Sequence, residues 1–575
     1  MENINLRDYQ EEIIKRAVDA LDNGRSVVIN APTGTGKTVM ALETLRRLDK
    51  IGWVYVRTIS QYSSWERDAR KLGLSFTGLM RKGEFCKVLK KPYITYCTYC
   101  AKEVKDADHL RDHKKFIERK YMNPLCYDPD APDRWSALCP YRVEYIAHRM
   151  DEDAPGFIDA VTKMMHDLLN SEGIKGTANW FRDNKVRFMG EDYDVCVYKL
   201  IEGKADIRIY SYIYFFLGIR RPEVNDDAIV VFDEAHNLDD FNINSVTITL
   251  KEVLGFFSKI EGIKQESVQE AFVKFVQDPD GGFEFMNLLV QANEELARKF
   301  STVMEAWKER DKWYIERDTV MWSYIKVMPA DPAMWLSKLN NYRFILLSGT
   351  MPSIDYLRTV WGLNNFVYIN AMSLWSSTSL NEHFRGAKIY VDDSIYYIRD
   401  ERPNYRKNIA ELIKRYSTKD GLNLVILPSY NELEAYKSLF PGAFFEDPRP
   451  DVLDRVKKLH DGSLVFAVAG GKLSEGIEVL DSKGRSRIRA VFVIGIPIPE
   501  YKDPYLDKMI EVVAKRIGRD PKAFKWTVLY EKAIIKVKQA IGRAIRGPYD
   551  LANIYLIDKR FGYKNVMKLM NLEVA

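Results

Sequence analysis

The chain has 575 residues, which is enough for three to four domains, with 46% hydrophobic and 29% charged residues, the balance of an ordinary globular protein. No apolar run approaches the roughly 20 residues that would span a bilayer, so a membrane-spanning helix is excluded. The net charge of +5 (86 Lys and Arg against 81 Asp and Glu) is too weak to argue for a nucleic-acid partner by itself. The N-terminal stretch MENINLRDYQ carries neither a basic nor an apolar leader signature, and a cytoplasmic protein is expected.

The first predicted element is a helix over residues 8–21, where Ile13, Ile14, Ala17, Val18 and Leu21 share a face and Gly24 supplies a stop. Short apolar runs bounded by turn residues then predict strands at 26–30, 53–58, 228–233, 342–348, 422–428, 464–469, 490–497 and 553–558. Several hold four or more consecutive apolar residues, as central strands covered on both faces do. Helical patterns between them imply parallel α/β sheets. The strand runs form two groups, one before residue 372 and one from 373 to 575. Two segments break the alternation of the first group. Residues 79–196 hold all six cysteines and many charges, and residues 243–330 read as helices, for example 268–276 and 285–300. Both are expected to be insertions into a first α/β domain made of 1–78, 197–242 and 331–372.

Residues 31–38 read Ala-Pro-Thr-Gly-Thr-Gly-Lys-Thr between a predicted strand and a predicted helix. Gly34 and Gly36 let the backbone curl so that the amides from Thr33 through Thr35 onward face a phosphate. The helix N-terminus adds the positive end of its dipole. Lys37 would reach the outer phosphates of ATP and Thr38 would ligate Mg2+. A second run, Val230-Val231-Phe232-Asp233-Glu234-Ala235-His236, ends an apolar strand in two acids. Asp233 is expected to hold Mg2+ and Glu234 to orient and deprotonate a water, with His236 in the same catalytic set. Downstream, Gln539-Ala540-Ile541-Gly542-Arg543-Ala544-Ile545-Arg546 places two arginines three apart, which would share a helix face. Arginine stabilises a transferring phosphoryl group better than lysine.

With LRDYQ, YVRTISQ, LLSGTMPSIDYLRTVWGL, GGKLSEGIE and QAIGRAIRGPYDLANIYLIDKRF in order, the chain resembles superfamily 2 DNA helicases of the XPD type, most closely their compact archaeal forms. The resemblance implies two RecA-like P-loop motor domains, the second over 373–575, with an iron–sulfur insertion (79–196) and a helical arch (243–330) in motor domain 1. It implies ATP-dependent 5′→3′ unwinding of DNA by a monomer acting on single-stranded and forked DNA, in nucleotide excision repair with other repair-complex proteins. Arg7 and Gln10 are then expected near adenine, and Gly476, Glu478 and Gln539 near the nucleotide from domain 2. Ser348, Gly349 and Thr350 would couple hydrolysis to domain movement, and Arg57, Thr58, Ser429 and Tyr430 would line the DNA track. Two other readings are a DinG-type helicase of the same superfamily, acting on R-loops, and an ATP-gated scaffold.

A 4Fe–4S cluster takes four thiolates. Cys86 stands at the family position of the first ligand, and Cys97-x-x-Cys100 resembles the middle pair. The last ligand falls on Cys196 or Cys139. Cys139 carries the family's Cys-Pro-Tyr, whereas Cys196 alone precedes Lys204-Ala205-Asp206 and Tyr210-Ser211-Tyr212, and position favours Cys196. Cys97 and Cys100 followed by His109 and His113 also have zinc-like spacing. A Zn2+ there would leave Cys86, Cys126, Cys139 and Cys196 for the cluster.

Overall fold

The computed structural model describes residues 5–80, 143–148, 150, 154–197, 201, 205–218, 220–224, 227–239, 245–257, 264–281, 294–383, 385–449, 451–476, 479–547 and 549–570. The chain divides into two compact units: residues 50–228 and 242–330, with the first two residues, form one, and residues 3–49, 229–241 and 331–575 form the other.

The second unit carries two sets of parallel strands. In the first set Phe366–Asn370, Ser26–Asn30, Arg343–Ser348 and Ala228–Phe232 lie side by side in that order. Every residue of Ser26–Asn30 and Ala228–Phe232 is buried, which is why both read as unbroken apolar runs. In the second set the order is Ala387–Asp392, Ala552–Ile557, Ile488–Ile494, Leu422–Leu427, Leu464–Val468, Phe444–Phe445, again all parallel. Its two faces are separate cores. Leu422, Leu424 and Ile426 pack into one, and Val425 and Leu427 into the other. Adjacent Ile488–Ile494 divides in the same way, Val491 and Val493 against Ala490, Phe492 and Ile494.

In the first unit Ile207–Ser211 is the middle of three parallel strands, between Ile51–Val56 and Phe76–Gly78. The segment after residue 243 is not all helical, as its sequence was read. Tyr324–Pro329 pairs antiparallel with Val246–Thr249 on one side and Trp313–Arg317 on the other. The helix Glu294–Lys308 packs on all three strands. Ile325 and Val327 are buried while Tyr324, Lys326 and Met328 are half-exposed, a period-two pattern that only a strand satisfies. The turn joining Trp313–Arg317 to Tyr324–Pro329 is organised by Asp318, whose carboxylate accepts the Ser323 hydroxyl and the Met321 and Val320 amides; these hold its pKa down to about 2. No helix among the described residues is long and apolar enough to cross a membrane.

The cysteine-bearing segment 79–196 is helical over much of its described part. Its second half is one long helical run, Ala154–Asp183, with Phe157, Val161, Met165, Leu169, Ile174, Ala178 and Phe181 buried. The run is broken at Gly173, whose φ of 74° and ψ of −178° suit glycine alone. The Glu66 carboxylate occupies the space a Cβ there would need, and accepts the Ile174 amide at 3.0 Å. Glu66 therefore caps the restarted helix from a different element.

Burial raises the Glu66 pKa above the usual carboxylate range, with the Ile174 amide and the Arg70 charge acting the other way. The folded state then binds the proton more tightly than the unfolded chain. The stabilising contribution is complete below the unfolded carboxyl pKa and is lost as pH rises through the raised folded value. Glu66→Gln keeps the acceptor and removes the charge. It is expected to stabilise the protein by about 1 kcal/mol at pH 7 and to leave it unchanged near pH 4, as measured by thermal melts at the two pH values.

Candidate active site

The phosphate loop follows Ser26–Asn30 and opens the helix Lys37–Leu48. Gly34 and Gly36 have φ of 81° and 83°, so both adopt the left-handed backbone that lets consecutive amides turn inward. Thr35 is fully buried and its hydroxyl donates to the Pro32 carbonyl at 2.7 Å, closing the loop on itself. Lys37 lies half-buried beside it, its Nζ 3.5 Å from the same carbonyl.

The N-terminal helix Asp8–Asp22 reaches the loop through Gln10, whose Nε2 donates to the Thr35 carbonyl at 2.8 Å. The Arg7 amide donates to Gln10 Oε1 at 2.9 Å and fixes that side chain. Tyr9, which sequence reasoning missed, is fully buried and its phenol also donates to the Thr35 carbonyl, at 3.4 Å. Burial raises its pKa, while the Arg7 guanidinium, which donates to the phenol oxygen at 2.8 Å, opposes the shift.

Asp233 and Glu234 follow Ala228–Phe232 at the carboxyl end of the strand, where open α/β sheets bind ligands. Asp233 is 8% exposed and its Oδ1 accepts the Glu234 amide at 2.9 Å. Glu234 has φ of 54°, a left-handed conformation uncommon outside glycine, and its side chain is 40% exposed. His236 is buried, with Nδ1 2.7 Å from the Ser348 hydroxyl and 3.3 Å from Glu234 Oε2. Its Nε2 faces two amide nitrogens, Asn237 Nδ2 and Gln539 Nε2. His236 thus joins three separated segments.

Ser348, Gly349 and Thr350 pass directly over the loop. The Ala31 amide donates to the Ser348 carbonyl at 2.9 Å, and a Cβ on Gly349 would lie 3.4 Å from the Thr33 amide and 3.6 Å from Lys37 Nζ. From the C-terminal part, a Cβ on Gly542 would lie 3.4 Å from the Thr33 hydroxyl, and one on Gly34 would overlap the carbonyl oxygen of Arg546. The two arginines do not share a helix face as expected. The helix Pro521–Ile541 ends at Gly542, and Arg543 and Ala544 follow in tight turns bonded to the Ala540 and Ile541 carbonyls. Buried Asp550 draws the chain away, accepting the Arg546 and Gly547 amides at 2.8 and 3.0 Å and the Ser486 amide at 2.7 Å. Arg543 turns to Lys472–Gly476, donating from Nε to the Ser474 carbonyl at 3.2 Å.

Gly476 ends that short helix; Glu478 lies outside the described residues. So do Cys86, Cys97, Cys100, Cys126 and Cys139, together with His109 and His113. Cys196 is buried between buried Val195 and Val197. Among the described residues no group of three or more His, Cys, Asp or Glu side chains could hold a metal ion. Asp233 offers one carboxylate, and Mg2+ is suited to such a place because it retains waters and takes phosphate oxygens for the rest of its shell. In the first unit, Arg57 and Thr58 are exposed at the carboxyl end of Ile51–Val56, Thr58 capping the turn Ile59–Gln61. In the second, Ser429 follows Leu422–Leu427 and caps Tyr430–Lys437, and Tyr430 is 54% exposed.

Three family profiles match: "Type III restriction enzyme, res subunit" over residues 3–90, "DEAD_2" over 160–254 and "Helicase C-terminal domain" over 412–574. The "ATP-dependent DNA helicase XPD" of Sulfolobus acidocaldarius is 27% identical over 612 aligned residues, covering 99% of each chain. The chain is similar to an XPD-type helicase from end to end. The solved structure "XPD_Helicase" has the same fold, with a TM-score of 0.64 at 21% identity over 100% of this chain and 99% of that one. The structure of S. tokodaii Xpd4 follows at 0.54 and 17% identity, over 99% and 98%. The likeness to XPD therefore includes the parallel-sheet, RecA-like architecture on which the phosphate loop and acid pair are mounted.

Gly34→Ala should weaken binding of a non-hydrolysable ATP analogue by tenfold or more, measured by calorimetry. The Cβ would meet the Arg546 carbonyl, and the left-handed backbone adds about 1 kcal/mol of strain for any L residue.

Proposed function

We propose that this chain is an ATP-dependent DNA helicase that moves 5′→3′ along single-stranded DNA and unwinds duplex, in nucleotide excision repair. One observation carries the reading. The phosphate loop, the acid pair and the arginine segment lie against one another, joined through His236 to Gln539 and through Gly34 to Arg546. End-to-end similarity to an XPD helicase supports the choice of DNA as the track.

The chemistry follows from the residues. The amides of the loop and Lys37 receive the β- and γ-phosphates, and Thr38 and Asp233 hold Mg2+. Gln10 bonds the loop at the Thr35 carbonyl and Arg7 fixes Gln10, and both are the residues that would take the adenine end of the nucleotide. Glu234 orients a water in line with the γ-phosphorus and takes its proton as the new P–O bond forms. The bond to the bridging oxygen breaks, and ADP leaves with that electron pair. Arg543 and Arg546 stabilise the charge that spreads over the equatorial oxygens, and Gly476 and Glu478 are the residues that would report nucleotide state from the C-terminal part. The arginines follow the helix Pro521–Ile541, hydrolysis would require them to close on the phosphates, and Arg57, Thr58, Ser429 and Tyr430 are the residues proposed to contact the DNA strand. Backbone contacts and stacking suffice for such a track, since a translocase reads no sequence. Cys86, Cys97, Cys100 and either Cys196 or Cys139 are the residues that would hold a 4Fe–4S cluster, whose bound form would stiffen the segment where duplex strands part.

Purified protein is expected to hydrolyse ATP faster with single-stranded DNA and to open a 5′-tailed duplex in preference to a 3′-tailed one. Lys37→Ala and Glu234→Gln should each lower turnover by about a thousandfold or more. ATPase activity indifferent to DNA would overturn the helicase reading, and a preference for R-loops over forked duplex would shift it to the DinG type.

A further inference from the structure

Asp239 lies six residues beyond Asp233 and is not part of the acid pair, yet its side chain is only 6% exposed. A carboxylate this buried needs compensation. It receives two donors on one oxygen: the Tyr356 hydroxyl at 2.7 Å and Lys532 Nζ at 3.1 Å. Tyr356 belongs to Ile354–Thr359, the helix that follows Ser348-Gly349-Thr350. Lys532 belongs to Pro521–Ile541, the helix that delivers Gln539 and then the arginines.

The spacing matters. Lys532 and Gln539 are seven residues apart, two turns, and so point from one face of that helix. Gln539 meets His236, and Lys532 meets Asp239 three residues further along the same acidic segment. The helix therefore grips the segment at two points, which fixes both its position and its rotation. A third tie closes the arrangement: Glu531, next to Lys532, accepts the backbone amide of Ser353, the residue that caps Ile354–Thr359. Two further pairs hold the approach to the same helix, Arg519 bidentate on Asp355 at 2.8 Å and Arg516 on Asp331 at 2.6 and 3.0 Å. The first is half-exposed and contributes little by itself. The Asp239 pair is the more enclosed one, with Lys532 19% and Asp239 6% exposed.

We infer that Asp239 and Lys532, with Tyr356, are positioning residues for ATP hydrolysis. They set the helix Pro521–Ile541 in register against the acid pair, so that Gln539 reaches His236 and the arginines reach the phosphates. This inference rests on the ATPase reading above.

The test uses the full chain, comparing wild type with Lys532→Ala, Lys532→Arg, Asp239→Asn and the Lys532→Ala/Asp239→Asn double variant. Lys532→Ala and Asp239→Asn are expected to lower kcat by about tenfold while the KM for ATP changes less than about threefold, the split of a group that acts on geometry and not on binding. Lys532→Arg should restore most of the rate. The double variant should be no slower than the worse single one. Hydrogen exchange without nucleotide gives a readout independent of turnover: amides of residues 233–239 should exchange faster in Lys532→Ala, while those of Leu422–Leu427 should not change. Unaltered exchange, or faster exchange with wild-type kcat, would overturn the inference. So would a loss of kcat matched by an equal loss of folded protein in Lys532→Ala and not rescued by arginine. A wild type that binds but never hydrolyses ATP would sink the ATPase reading and this inference together, whereas an active wild type with an unaffected Lys532→Ala sinks only the latter.

Discussion

The absence of a side chain at Gly34 is the constraint on which the site depends. The carbonyl of Arg546 occupies the place a Cβ would take, more than 500 residues along the chain from the loop it touches. Two needs coincide at that one residue. The left-handed backbone turns amides toward a phosphate, and the bare Cα admits the segment that carries the arginines. Arg546 is held there by its backbone, whose amide donates to Asp550. The loop and the arginine segment are thus fitted to each other at that residue.

The grouping of the chain into compact units reflects the same constraint. Residues 3–49, 229–241 and 331–575 gather into one unit. These are the stretches that supply Gln10, the phosphate loop, the acid pair, Ser348 and the arginines. The segments expected to be insertions, and the strands Ile51–Val56 and Ile207–Ser211, fall in the other. The acidic segment 233–239 lies at the centre: His236 meets Ser348 and Gln539, and Asp239 meets Tyr356 and Lys532.

Much of this was legible in the sequence, for a physical reason. A strand covered on both faces must be apolar throughout, so Ser26–Asn30 and Leu422–Leu427 were read nearly to the residue. Edge strands lack that signal. Phe366–Asn370 is buried at only two positions and Ala387–Asp392 at none, and neither was found. Neither were Trp313–Arg317 and Tyr324–Pro329 as strands, because a helix covers only one of their faces and the resulting alternation is short. The phosphate loop and acid pair were visible because the chemistry demands particular residues at fixed spacing. The end of the helix before Arg543 was not, because Asp550, four residues beyond Arg546, sets it by accepting two backbone amides.

Asp239 shows where such reading stops. By sequence it is one acid among several after the acid pair, and nothing local separates it from a solvated surface carboxylate. Its burial, and its ties to a lysine 293 positions away and a tyrosine 117 positions away, exist only in the fold. Long-range pairs of this kind leave no periodicity and no motif, yet they add a directional constraint to apolar packing, because a buried charge displaced by one turn, about 5.4 Å, moves away from its partner. If the arginines must meet the phosphates in one geometry for hydrolysis, an enclosed ion pair on the helix that precedes them is a physical means of rejecting the neighbouring registers.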